Sequence, residues 1–275
     1  MNKKIDVKML VLDMDGTLLN KEHTISEKNK KYIQLAKERG VKVVLVSGRD
    51  VPALKNFSKI LNLNEYIGAM NGAIVYDVKN EEIIGETYLR KEHVDKLFEI
   101  SNNNNELLTL FKDNIIYASD KPNPFLEILN RFVKKPIISS ENLSIYLKEN
   151  NIYESLHKAA FIDEYENLKK LYDKIYNELK DELSLSFSLP FIMEIFRNDS
   201  NKMTAVQKIA ELYNIDRENI LAMGDGENDI SMLEFAGHSV SPANCMPSVV
   251  KYVDEICTTN DRDAVAEIIK KYILV

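Results

Sequence analysis

Apolar residues along this chain come in two textures: short unbroken runs, and runs spaced for one helix face. The first, "VKMLVLD" at 7–13, has no polar alternation and predicts a strand buried on both sides. In "TISEKNKKYIQLAKERG", 24–40, Ile25, Tyr32, Leu35 and Ala36 form an apolar stripe. Thr24 and Glu27 have capping-box spacing and Gly40 suits a C-terminal stop, so a helix is predicted. "VKVVLVSGR", 41–49, is a second continuous strand, and strand–helix–strand in so few residues predicts a βαβ unit with a parallel sheet. "DVPALKNFSKIL", 50–61, reads as a helix with Pro52 near its start, and "YIGAM", 66–70, as a third strand.

From about residue 74 the texture changes. "AIVYDVKNEEIIGETYL" and "ELLTLFKDNIIYAS" read as hairpins, and "NPFLEILNRFVKK" and "YENLKKLYDKIYNELK" as helices. A strand is expected to begin at His157, and "LSLSFSLPFIMEIFR" reads as paired strands around Pro190. The asparagine run 102–105 reads as a helix end or loop. Alternation then resumes with a helix at "SNKMTAV", a strand at "NILAMGD", a helix at "ENDISMLEFAG", a short strand at "HSVSPA" and a final helix at "RDAVAEIIKKYI". The pattern predicts an α/β core with a parallel sheet, formed by residues 1–81 and 190–275, interrupted by an α+β module at 82–189.

Composition narrows the functional classes. A net charge of −7 argues against nucleic acid or acidic membranes as partners, because both need a basic face. An anionic ligand would have to be held by local Lys or Arg, backbone N–H groups or a metal. The cysteines, Cys245 and Cys257, have neither framework nor zinc spacing. No stretch approaches the roughly 18 apolar residues of a membrane span, and the basic start is too broken for a signal peptide, so a cytoplasmic location is expected.

The candidate chemistry lies at strand ends. Asp13 and Asp15 are two apart, so in extended backbone both side chains would leave on one side. At such range they repel by roughly 1–4 kcal/mol, which calls for a proton, a basic residue or a metal. An Asp-Gly turn accounts for Asp15 but not for Asp13, and an EF-hand fails at Thr17. "ILAMGDGENDISML" ends a second strand in Asp225, followed by Asn228 and Asp229. If the winding reverses between these strands, Asp13, Asp15, Asp225 and Asp229 share one crevice. Carboxylates without His or Cys partners select a hard cation, and Mg²⁺ takes one or two of them plus water and a phosphate. "LVSGRD" offers Ser47, Gly48 and Arg49 for phosphate oxygens, and Lys202 at a helix start could neutralise both a phosphate and Asp13.

"DMDGT", "VSGR", the "NKMTAV" lysine and "GDGENDISML", in that order, resemble the four motifs of the haloacid dehalogenase-like (HAD) superfamily. The insert resembles the Cof-type branch, subclass IIB. The resemblance implies a Rossmann-like doubly wound core with a C2-type cap, and a Mg²⁺-dependent phosphatase for small phosphorylated metabolites. Asp13 would be the nucleophile, forming an aspartyl-phosphate, and Asp15 the general acid and base. Ser47, Gly48, Asn228 and Lys202 would bind phosphate. Asp13, the Asp15 carbonyl, Asp225 and Asp229 would serve the metal, with Asn71, Asn244 and Arg49 at the substrate rim. To act as an acid near neutrality, Asp15 would need neighbours that raise its pKa.

The motifs depart from the usual pattern at Met203 after the lysine, at Ser47 for threonine, and at "SPAN" around Asn244. In the cap, Lys112, Arg131, Lys134, Lys135, His157 and Lys158 are basic candidates whose ordinary reading is solvated surface charge, or for His157 a structural role. The loop 118–124 is a candidate for specificity. A phosphomutase or phosphotransferase is the near alternative. A phospho-aspartate signalling protein is a further one, opposed by the acid/base candidate so close to the nucleophile.

Overall fold

A computed structural model of the chain describes residues 5–103, 106–120, 124–132 and 135–274. Lys134, residues 104–105 of the asparagine run and 121–123 of the 118–124 loop lie outside the described residues. The chain forms two compact units, Met1–Gly85 with Asn201–Val275, and Glu86–Ser200.

The first unit opens with β1 (Met9–Leu12), α1 (Glu27–Glu38), β2 (Lys42–Leu45), α2 (Val51–Ile60), β3 (Tyr66–Ala69), β4 (Ile74–Asp77) and β5 (Glu82–Glu86). All four residues of β1 are buried, as a strand flanked by neighbours and covered on both faces must be. Helix α1 starts two residues later than the capping-box spacing suggests. Ser26 is the N-cap, its side chain accepting from the Asn29 N–H, while Thr24 bonds to Asn20 instead. The buried face is accordingly Asn29, Ile33 and Ala36, and Tyr32 and Leu35 are only half-buried. Gly40 ends the helix at φ +82, donating to the Lys37 carbonyl.

The second unit contains α3 (Lys91–Asn103), β6 (Leu107–Lys112), β7 (Ile115–Ser119), α4 (Pro124–Phe132), β8 (Ile137–Ser140), α5 (Leu143–Glu149), β9 (Lys158–Ile162), α6 (Tyr165–Leu179), β10 (Leu183–Leu189) and β11 (Ile192–Arg197). Its six strands run in the order β10-β11-β9-β6-β7-β8, antiparallel except where β7 meets β8. Leu108, Leu110, Phe161, Met193 and Ile195 of the sheet pack with Val94, Leu97, Leu168 and Ile175 of the helices. Because β11 pairs with both β10 and β9, residues 190–200 belong with this unit. A division at 189/190 would cut a hairpin through its turn.

The chain then returns through α7 (Lys202–Tyr213), β12 (Ile220–Met223), α8 (Ile230–Phe235), β13 (His238–Pro242), β14 (Glu255–Cys257) and α9 (Ala264–Tyr272) to complete the first unit. Its five-stranded sheet has the order β14-β13-β12-β1-β2, with every pairing parallel. A parallel bridge from Val46 to Gly68 carries the sheet on toward β3, which is antiparallel to β4. β1 lies between β12 and β2, with Leu12 opposite both Met223 and Leu45. The winding therefore reverses between β1 and β12, and their carboxyl ends are level. This is the switch point at which open α/β sheets bind ligands. Among the described residues, no helix is long and apolar enough to cross a membrane.

Candidate active site

Level strand ends place their first loop residues together. The Asp13 N–H donates to the Met223 carbonyl at 3.0 Å, and the Val46 N–H to the Leu12 carbonyl at 3.0 Å. Asp13, Ser47 and the Gly224–Asp225 corner thus leave three adjacent strands at one edge. Asn201 caps α7 and accepts from the Thr204 N–H, which fixes Lys202 as the helix's first residue. Lys202 is 1% exposed, with Nζ 2.6 Å from Asp13 Oδ1 and hydrogen-bonded to Asp229 Oδ1. The second Asp229 oxygen accepts from the Asp225 and Gly226 N–H groups, each at 2.9 Å. Asp229 therefore braces both the lysine and the Asp225 loop.

Carboxylate oxygens of Asp13, Asp225 and Asp229 lie within 4.8 Å of one another. Three carboxylates against one ammonium leave two negative charges in a largely buried place. Burial, then repulsion from Asp229, pushes Asp13 well above the usual carboxylate range, with Lys202 opposing. Burial likewise raises Asp225, to about 6, although a hydrogen bond from Thr17 Oγ1 at 2.7 Å works against it. Burial alone would lower Lys202, but Asp13 and Asp229 outweigh it and hold the ammonium protonated. The excess charge is relieved by protons or by a cation. The all-oxygen donor set and the mutual approach of the carboxylates fit a hard divalent ion.

Asp15 behaves differently. The backbone leaves extended geometry after Asp13, and Gly16 turns it at φ +84. An added Cβ on Gly16 would overlap the Asp225 carboxylate, so only glycine permits this approach. The Asp15 carboxylate is not among the three clustered acids and takes other partners. Arg49 grips it with both oxygens, Nε to Oδ2 at 2.7 Å and Nη2 to Oδ1 at 2.6 Å, and His23 Nδ1 stands 3.5 Å from Oδ1. Burial would raise the Asp15 pKa, but the Arg49 hydrogen bonds and charge, with His23, bring it below the ordinary value. That is opposite to the direction an acid near neutrality requires.

The remaining candidates surround this centre. Ser47 is buried, its N–H bonded to the Gly68 carbonyl and its Oγ accepting from the Arg49 N–H at 3.3 Å. Asn71 is buried at φ 58, its N–H donating to the Ser47 carbonyl, and its Oδ1 accepts from Asn228 Nδ2 at 3.0 Å. A Cβ on Gly48 would stand 3.1 Å from that same Asn71 oxygen. Asn244, exposed, donates to the Gly16 carbonyl at 2.8 Å and so tethers the first acidic loop. In the second unit, Lys158 is not a solvated charge. It is buried, paired with Glu194, with Nζ 4.8 Å from the centre of the Phe111 ring. His157 is buried against Glu86 Oε1 at 3.3 Å.

Two residues of this centre escaped the sequence reading. Thr17, fully buried, donates to Asp225. Its signal was its place two residues after Asp15, which also suits a plain turn. His23 sits at φ 55 in a turn closed by its N–H to the Asn20 carbonyl, and nothing in its neighbours marks it out.

Fold and site together define an α/β protein with an acidic centre at the reversal of its sheet. A model of the haloacid dehalogenase-like hydrolase family matches residues 10–269, and the chain belongs to that family. It is 28% identical to the 5-amino-6-(5-phospho-D-ribitylamino)uracil phosphatase YcsE of Bacillus subtilis, over 98% of this chain and 97% of that protein. It is 26% identical to the phosphatase YwpJ of the same organism, over 96% and 99%. The crystal structure of a haloacid dehalogenase-like hydrolase from Bacteroides thetaiotaomicron superposes with a TM-score of 0.82 at 27% identity, covering 96% of this chain and 99% of that one.

Proposed function

We propose that this chain is a Mg²⁺-dependent phosphatase that hydrolyses small phosphorylated metabolites through an aspartyl-phosphate on Asp13. The observation that carries the reading is the buried Lys202 bridging Asp13 and Asp229 beside Asp225, at the ends of two adjacent parallel strands. The named activities of YcsE and YwpJ support phosphoester hydrolysis as the reaction class.

A phosphate monoester is among the hardest biological bonds to hydrolyse, because its negative charge repels nucleophiles and its alkoxide leaves poorly. Lys202 is placed to neutralise phosphoryl oxygens beside Asp13. Mg²⁺ held by Asp13, Asp225 and the Asp15 carbonyl, with Asp229 supporting, would supply the further positive charge that lets a carboxylate approach a phosphate dianion. An Asp13 oxygen attacks phosphorus, the bond to the leaving oxygen breaks, and Asp15, which must leave the Arg49 grip and take up a proton from solvent to serve as acid, gives that oxygen the proton. Water then attacks the aspartyl-phosphate while Asp15 takes a proton back, releasing phosphate and restoring Asp13. Ser47, the Gly48 N–H and Asn228 hold the phosphoryl group, with Asn71 and Asn244 at the rim.

The test is a panel of phosphate monoesters assayed for inorganic phosphate with and without Mg²⁺, with Asp13→Asn as control. Metal-dependent release that the variant loses by several orders of magnitude is expected. Near wild-type turnover by the variant would remove Asp13 as nucleophile, and isomerised sugar phosphate without phosphate release would indicate a mutase.

A further inference from the structure

The mechanism needs Asp15 at the leaving-group oxygen, yet both of its oxygens are engaged by one guanidinium. We propose that Arg49 is a positioning residue that acts through Asp15, holding the acid/base by a two-point grip and yielding it to the leaving-group side during the reaction. The inference rests on the phosphatase reading and deepens it.

Arg49 is built to hold a fixed plane. It follows directly on the Ser47–Gly48 turn, its own carbonyl accepts from the Met70 N–H at 2.8 Å, and its N–H donates to Ser47 Oγ. The guanidinium carbon stands 5.4 Å from the centre of the Phe57 ring of α2, which backs it with an aromatic face. Backbone and head group are therefore both tethered, and the side chain between them has little freedom. Two parallel N–H···O bonds set the carboxylate's plane as well as its place, which a lysine ammonium cannot do. His23, from the 20–24 turn, stands 3.5 Å from the same Oδ1 that Nη2 binds. Two of the five guanidinium N–H donors, on Nε and Nη2, are committed to Asp15.

A residue that works through Asp15 has distinctive kinetics. Its loss should lower kcat for an alkyl phosphate about 100-fold with little change in KM, since general acid–base assistance contributes on the order of 10²–10⁴. A nitrophenyl phosphate, whose leaving group departs without a proton, should still phosphorylate Asp13 quickly. Water attack would then be slow, giving a burst of nitrophenolate near one per site. The experiment compares Arg49→Ala, Arg49→Lys, Asp15→Asn and the double variant Arg49→Ala/Asp15→Asn by rapid-quench and steady-state assay on both substrates.

Three results are expected. Arg49→Lys behaves like Arg49→Ala because charge without the fork does not position. Both show the burst, and Arg49→Ala costs less than threefold in the Asp15→Asn background. A KM rise at constant kcat, full rescue by lysine, or costs that multiply in the double variant would overturn the inference. No inorganic phosphate released from either ester by the wild-type protein with Mg²⁺ would instead refute the phosphatase reading itself, so the two failures are distinguishable.

Discussion

Thr17→Val is the sharpest probe of the acidic centre, because it removes one hydrogen bond and almost no volume. Thr17 Oγ1 donates to Asp225 Oδ1 at 2.7 Å from a fully buried position. Hydrogen bonds to charged groups contribute about 1.5–3 kcal/mol, and 1.36 kcal/mol corresponds to one pKa unit. The variant should therefore raise the Asp225 pKa by about one to two units from its value of about 6. A divalent cation binds the ionised carboxylate, so affinity is full above that pKa and falls as pH drops through it. In the wild-type chain the acidic limb of Mg²⁺ binding should lie near pH 6, and in Thr17→Val it should move toward or above neutrality. The sign for stability runs the other way. An acid whose folded pKa is raised contributes most below its unfolded value, and that contribution is lost as pH rises through about 6, where bound cation replaces it. Titration calorimetry with Mg²⁺ from pH 5.5 to 8, paired with melting curves at each pH, measures both. Thr17→Val with an unchanged acidic limb and unchanged affinity would refute the assignment of Asp225 to cation binding.

Other expected outcomes follow from the same geometry. Gly72 has φ +98, and an added Cβ would overlap the Asn201 carbonyl that leads into α7. Gly72→Ala should therefore displace Lys202 and abolish phosphate release while lowering the melting temperature, and a fully active variant would show that this approach is dispensable. Asp15→Asn should slow both leaving-group departure and phosphoenzyme hydrolysis, measured as acid-stable phosphate on the chain. His157 is held below its ordinary value of 6.5, by burial first, with Glu86 opposing. Its contribution to stability is present above pH 6.5 and is lost as pH falls through the lowered folded value. Urea unfolding followed by far-UV circular dichroism should show that acidic slope flattened in His157→Gln. Lys158→Met alone leaves the half-buried Glu194 without its ammonium and should cost about 1–3 kcal/mol, whereas Lys158→Met/Glu194→Leu should be close to neutral.

Much of this protein is written locally. β1, β2 and β12 are continuous apolar runs, and such runs become central parallel strands whatever surrounds them, because no face can be left to water. The acids at their ends were legible for the same reason: a carboxylate attached to a buried strand has few structural excuses. Less visible were α5, β8 and β14, which the sequence left unassigned, since short segments carry weak periodicity and their partners supply most of the stabilisation, and the longer α3 also went unassigned.

What the tertiary structure alone decided is which charge meets which. Strand spacing would have sent Asp13 and Asp15 the same way, but the chain leaves the strand after Leu12, and the two acids take different partners, Lys202 for one and Arg49 for the other. It likewise made Asp229 a brace rather than a free ligand, and it found Thr17 and His23. A sequence fixes the kind and order of its groups. Electrostatic pairing depends on distances of a few ångströms between residues as far apart as 13 and 202, and those distances exist only once the sheet has closed them.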